Sequence, residues 1–246
     1  MLPDDVALED VVGWMGPLLS GHRRVLEVGC GEGDLARRLA AGGLSVTAID
    51  VELGQPAPAA GVRWVEADLL GFEDDPFDAV LFTRSLHHIH PLEEAIERAT
   101  RLVRPGGLLL LDEFDRDAAD ADTARWYYEV QELLVAAGVC STHHIEAHAG
   151  AQAGAHAGAG PSERWRAEHE HDPPLHGGAE MLAAVADRFT GLATRRGVYL
   201  YRTIAHRLEA SARGVAVARQ LYAAESGRLQ AAALAAVGLR ISARAG

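Results

Sequence analysis

Val25-Leu26-Glu27-Val28-Gly29-Cys30-Gly31-Glu32-Gly33 is the stretch that decides the fold. Residues 25–28 read as a short buried strand, and three glycines follow at alternate positions. Residues 34–41 then put Leu35, Leu39 and neighbouring alanines on one helical face. Strand, glycine turn and helix make the opening of a βα unit. The glycines let the backbone turn tightly and approach a ligand with no Cβ in the way. A nucleotide-like ligand suits such a turn.

Outward from it, residues 23–116 alternate short apolar runs with helical patterns, which predicts a parallel sheet wound from βα units. Gly42-Gly43 stops the first helix. Further strands are expected at 45–50, 62–66, 77–82 and 108–111, and a helix at 91–102 ends at Pro105-Gly106-Gly107. Residues 53–61 carry Pro56 and Pro58 and are too short for an ordinary crossover helix, so a turn is expected there. Upstream, Val11, Val12, Met15, Leu18 and Leu19 recur at helical intervals within 6–19. Downstream, a helix is expected at 123–137, with Trp126, Tyr127 and Tyr128. A low-complexity Ala/Gly/His tract at 147–160, a helix near 179–189, a strand near 197–202, a helical region at 204–236 and a last strand at 239–243 complete the chain.

Composition narrows the partners. The chain has 246 residues, 48% of them hydrophobic, which is enough for one sizeable α/β core. A formal charge of -12 with no basic run repels polyanions, so a small molecule is expected as partner and a nucleic acid is not. The acidic start Met1-Leu2-Pro3-Asp4-Asp5 lacks the basic opening of a signal peptide, and no apolar run suits a membrane span, so a cytoplasmic protein is expected. Cys30 and Cys140 form no CxxC pair, hence neither a disulfide framework nor a thiolate metal site. Lysine and asparagine are absent, so no chemistry here uses either side chain.

Two features bear on the ligand. A dinucleotide fingerprint needs its third glycine one place later, where this chain has Asp34, and an acid at the helix start opposes a pyrophosphate. Glu27, at the end of the first strand, meets a cationic ligand better than a phosphate. Both features disfavour a nicotinamide dehydrogenase.

The set Val25 to Gly33, Ala48-Ile49-Asp50, Val65-Glu66-Ala67-Asp68-Leu69, Phe77-Asp78-Ala79-Val80-Leu81, Ser85-Leu86-His87-His88-Ile89 and Leu102-Val103-Arg104-Pro105-Gly106-Gly107 resembles, in its order, class I S-adenosylmethionine methyltransferases, the type 11 group in particular. The resemblance covers the first half of the chain. It implies an α/β fold of three α/β/α layers, Rossmann-like. Its seven-stranded sheet would be mostly parallel with an antiparallel last strand, and a helical and loop cap would be inserted after strand five. It also implies a single domain over 1–246, with a cofactor-binding half at 1–116, a substrate cap at 117–190 and completion of the sheet at 191–246.

By the same resemblance the cofactor is S-adenosylmethionine, released as S-adenosylhomocysteine. Glu27 and the turn of Gly29, Cys30, Gly31 and Gly33 would hold its methionine portion. Asp50, with Val51 beside it, would accept the ribose hydroxyls, while Asp68 and the backbone of Leu69 would read the adenine. Thr83 and Arg84 would line the sulfonium. Alone, each of these acids also reads as a helix cap or a solvated side chain.

A hydroxyl or thiol acceptor gains from a base near neutral pKa, which makes His87 and His88, just past strand four, the base candidates. Asp112, Glu113, Trp126 and Tyr127 are the substrate-contact candidates, with a strand end and core packing as the competing readings. Thr83-Arg84-Ser85-Leu86 stands where enzymes that methylate base amines or glutamine amides often carry an Asn/Asp-Pro-Pro-aromatic signature. His143, His144, His148, His156, His169, His171 and His176 crowd the second half, yet no cysteine pair accompanies them and no metal is expected. A cofactor-binding regulator without catalysis is the alternative function.

Overall fold

The computed structural model describes residues 1–140 and 160–246. The tract at 147–160, Gly160 excepted, and with it His148 and His156, lies outside the described residues, as do His143 and His144.

Seven strands form one sheet: β1 Arg24–Val28, β2 Ser45–Asp50, β3 Val62–Glu66, β4 Phe77–Thr83, β5 Val103–Phe114, β6 Phe189–Gly197 and β7 Gly238–Ala245. Their order is β3-β2-β1-β4-β5-β7-β6. The β3-β2, β2-β1, β1-β4 and β4-β5 pairs are parallel, and the last strands run antiparallel. The helices are α1 Pro3–Leu18, α2 Asp34–Ala41, α3 Leu92–Leu102, α4 Ala121–Ala136, α5 Pro161–Glu168, α6 Gly178–Ala186, α7 Leu200–Ala205 and α8 Ala212–Gln230.

The chain divides into two compact units. One comprises Leu8–Phe114, His176–Arg195 and Leu239–Gly246, and holds most of the sheet. Strand alternation sends successive side chains to opposite faces. On one face Val25, Ala79, Leu81, Leu108 and Leu110 bury Val11, Met15 and Leu19 of the α1 segment and Leu35, Ala36 and Leu39 of α2. On the other, Leu26, Val28, Val80, Leu109, Leu111 and Ile241 bury Ile96, Ala99 and Leu102 of α3 and Met181 and Val185 of α6. Those are the three layers. The β3-β2-β1 half and the β4-β5 half run out from the β1-β4 pair, and a crevice at the carboxyl ends of such a pair is where open α/β sheets place ligands.

The other unit comprises Met1–Ala7, Asp115–Leu175 and Arg196–Gly238. Within it Tyr127 packs edge-on to Trp165 at 5.6 Å, and Tyr128 Oη donates to Glu168 at 2.9 Å.

The structure departs from the local expectations in three places. The strand expected at 197–202 is the end of β6 followed by α7, because the buried Glu225 of α8 accepts the backbone N–H groups of Tyr199, Leu200 and Tyr201 at 2.7, 3.0 and 2.8 Å and so caps a helix start. Helix α5, not expected at all, opens on Pro161 with Glu163 accepting the Gly160 N–H at 3.2 Å. Strand β5 also runs further than 108–111, through Pro105 and Gly106 to Phe114.

Candidate functional site

The glycine turn leaves β1 with Gly29, Gly31 and Gly33 all at positive φ, 71°, 52° and 79°. Two of them are also short of room. A Cβ on Gly29 would collide with Ser85, and one on Gly33 with the Trp64 ring, whereas at Gly31 the space is open. The turn is pinned from β2: Gly29 and Cys30 donate to the Ile49 carbonyl at 2.9 and 3.1 Å, and Gly31 donates to Asp50 Oδ2 at 2.8 Å. Asp50 Oδ1 accepts from Glu52 N–H at 3.1 Å, closing the turn that leaves Val51 64% exposed beside it.

Glu27 shares a strand face with Val25, so it points under the first turn of α2. It is 2% exposed, and its Oε2 has no hydrogen-bond partner. Burial pushes its carboxyl up to about 8, offset in part by hydrogen bonds from the Ala36 backbone and the Thr83 side chain. Cys30 is pushed up to about 12, by burial and then by the charges of Glu27 and Asp50, which leaves an inert thiol in the turn.

Asp68 lies past β3, where its Oδ1 accepts from Leu70 N–H at 3.0 Å; the side chain of the adjoining Leu69 is buried. Thr83 ends β4. Arg84 takes a φ of 57°, uncommon for a residue with a Cβ, while its N–H donates to the Asp112 carbonyl at 3.0 Å and its side chain stays exposed.

The next turn is held from two sides. Ser85 Oγ donates to the Val28 carbonyl at 2.6 Å. Glu113, fully buried in β5, accepts Ser85 and Leu86 N–H on Oε1 at 3.1 and 2.9 Å, and its Oε2 lies 2.5 Å from His87 Nδ1. His87 is buried; His88 is exposed, with its ring 4.3 Å from that of His87. The backbone of His176 donates to the His87 carbonyl at 3.0 Å.

The two strand-five acids therefore have internal partners. Glu113 holds the turn after β4, and Asp112, 3% exposed, accepts from Arg240 Nε at 2.7 Å while Arg240 also reaches Asp10 at 2.6 Å. Trp126 and Tyr127 belong to the other compact unit, where both are buried and Thr203 Oγ1 donates to Tyr127 Oη at 3.1 Å. Among the described residues no three His, Cys, Asp or Glu side chains are grouped so as to hold a metal ion, and no helix is long and apolar enough to cross a membrane. Ser85 and Arg240 were not singled out from the sequence. Their partners stand 57 and 128 positions away, so no local signal marks them.

The glycine turn, the buried acid and the acid ending β2 thus surround the carboxyl ends of adjoining parallel strands. A family model described as a methyltransferase domain matches residues 6–158, more than half of the chain. The chain belongs to the methyltransferase domain family. This methyltransferase domain is 40% identical over 102 residues to an uncharacterized methyltransferase of Mycobacterium tuberculosis, a match covering 38% of this chain and 52% of the relative. It is 36% identical over 159 residues to the 27-O-demethylrifamycin SV methyltransferase of Amycolatopsis mediterranei, covering 57% of each. The chain thus spans about half the length of the curated relatives it matches. In fold it is similar to the 1,6-didemethyltoxoflavin-N1-methyltransferase of Burkholderia thailandensis, solved with 1,6-didemethyltoxoflavin and S-adenosylhomocysteine, at a TM-score of 0.53 and 17% identity, covering 97% of this chain and 78% of that one.

Proposed function

We propose that this methyltransferase domain transfers the methyl group of S-adenosylmethionine to a small-molecule acceptor. The observation that carries the proposal is Glu27. A buried acid with an orphaned oxygen, at the carboxyl end of β1 and beside an open glycine turn, is satisfied by an ammonium group and repels a phosphate. S-adenosylmethionine carries such an ammonium; a pyrophosphate-bearing dinucleotide presents the opposite charge. The site's residues fit the first and not the second.

On this reading Glu27 and the turn of Gly29, Cys30, Gly31 and Gly33 hold the methionine portion. Asp50 keeps the turn in place through the Gly31 N–H and receives the ribose hydroxyls, with the exposed Val51 offered to the adenine edge. Asp68 and the Leu69 backbone take the adenine, and Thr83 and Arg84 border the sulfonium. When bound, S-adenosylmethionine supplies a methyl group activated for in-line displacement by an acceptor lone pair. The chain's own contribution is alignment and exclusion of water, which can account for a large share of such a barrier. Residues 117–190 carry the choice of acceptor. Small acceptors are supported by the Amycolatopsis relative, whose name states a demethylrifamycin, and by the heterocycle held in the Burkholderia structure.

The test is release of S-adenosylhomocysteine from S-adenosylmethionine during incubation with a panel of small phenols, alcohols and amines. The wild type should release it with at least one acceptor, and Glu27→Gln should not. Tight S-adenosylhomocysteine binding with no turnover across the panel would replace the enzyme with a cofactor-binding regulator.

A further inference from the structure

We infer that His87 is the proton acceptor of this site, that Glu113 is the residue positioning it, and that the acceptor therefore presents an acidic hydroxyl of the phenol or enol class. The inference rests on the methyl-transfer reading above. Glu113 is wholly enclosed, and all its partners lie in one turn: two backbone N–H groups on Oε1 and the His87 ring on Oε2 at 2.5 Å. Used as an acceptor on both oxygens, the carboxylate fixes the ring hydrogen on Nδ1. That leaves the Nε2 lone pair as the ring's remaining function, and Nε2 has no hydrogen-bond partner among the described residues. A carboxylate that sets the tautomer of an imidazole while its far nitrogen stays bare is the arrangement of a general base.

The position suits the task. His87 follows Ser85 by two residues, and Ser85 is locked to the β1 end through the Val28 carbonyl and by its close approach to Gly29. The ring is thus carried on the turn that abuts the glycines assigned to the methionine portion. The His176 N–H, on the His87 carbonyl at 3.0 Å, fixes the same backbone from the α6 side. His88, the next residue, is exposed.

Proton removal matters most for an oxygen acceptor. A neutral hydroxyl is a poor nucleophile, whereas an unprotonated amine already offers its lone pair. In the step, the O–H bond breaks toward Nε2 and the oxygen keeps the electron pair. That pair forms the new C–O bond, the C–S pair returns to sulfur, and the imidazolium then gives its proton to water.

Long-range proton-nitrogen correlation spectra of the free protein, labelled at histidine nitrogens, read the tautomer directly. The wild type should show His87 with a protonated Nδ1 and a bare Nε2, and Glu113→Gln should lose that preference while still binding S-adenosylhomocysteine. In turnover of catechols and phenols set against matching anilines, His87→Gln should lose roughly 100-fold or more on the hydroxyl acceptors and far less on the anilines. A hydrogen on Nε2 in the wild type, a preference for anilines, or a His87→Gln variant as fast as the wild type on phenols would each overturn the inference. The tautomer needs no ligand, so failure of S-adenosylhomocysteine to bind would instead count against the methyl-transfer reading beneath it.

Discussion

Glu27 is placed where folding and ligand recognition pull in opposite directions. Burial holds its carboxyl at about 8 against an ordinary 4.5, so between those values the folded chain keeps a proton that the unfolded chain releases. The sign follows. The contribution of Glu27 to stability is greatest below about 4.5, declines as pH rises toward 8, and stays at its lowest above. Glu27→Gln should flatten that decline and be more stable than the wild type above pH 8, while losing the ligand that the acid exists to meet. Denaturant unfolding of both proteins across this pH range checks it; parallel curves would show that the acid is not held in its neutral form. The identity of this residue was legible, because an acid ahead of three alternate glycines is a local pattern. The partners of Glu113 and Asp112 were not, because the residues they bind stand 26 to 28 and 128 positions away and only the folded sheet brings them together.

At the scale of elements, the glycine turn is exacting because two constraints coincide at Gly33. Its φ of 79° disfavours any side chain, and a Cβ there would run into the Trp64 ring of β3. Gly33→Ala should therefore cost about 2–4 kcal/mol, the sum of a left-handed backbone penalty and overpacking. Thermal unfolding would register it as a clear fall in Tm, and an unchanged Tm would mean that the turn has slack that the geometry denies. Helices α2 and α3 and the first four strands were readable because each rests on its own apolar periodicity and its own glycine or proline stops. The α7 region was not: Gly197-Val198-Tyr199-Leu200-Tyr201-Arg202 has the composition of a strand, and what makes its second half helical is the carboxylate of Glu225, which arrives from α8. Helix α5 did carry a signal, Pro161 with Glu163 two residues on, but Trp165 is its one buried residue, so no apolar periodicity accompanies that start.

At the scale of the whole molecule, the two compact units differ in how their sequence is laid out. The sheet-bearing unit takes most of its residues from one run, Leu8–Phe114, whose βα units form between neighbours in sequence. The other is assembled from Met1–Ala7, Asp115–Leu175 and Arg196–Gly238, so its contacts join distant segments and leave little periodic trace. The same contrast bears on the division of labour proposed here, in which residues 117–190 choose the acceptor. Deleting residues 147–160 should leave S-adenosylhomocysteine affinity within roughly threefold of the wild type while changing turnover by a larger factor. Loss of cofactor affinity with turnover intact would reverse that assignment.

The central claim, that the glycine turn with Glu27 and Asp50 is a site for S-adenosylmethionine, is met most directly by calorimetric titration with S-adenosylhomocysteine, comparing the wild type with Asp50→Ala and using NAD as the control ligand. If the claim holds, the wild type binds S-adenosylhomocysteine saturably and does not bind NAD, and the substitution weakens binding at least tenfold, about 1.4 kcal/mol. A folded wild type that binds NAD, or that leaves S-adenosylhomocysteine unbound, would contradict it.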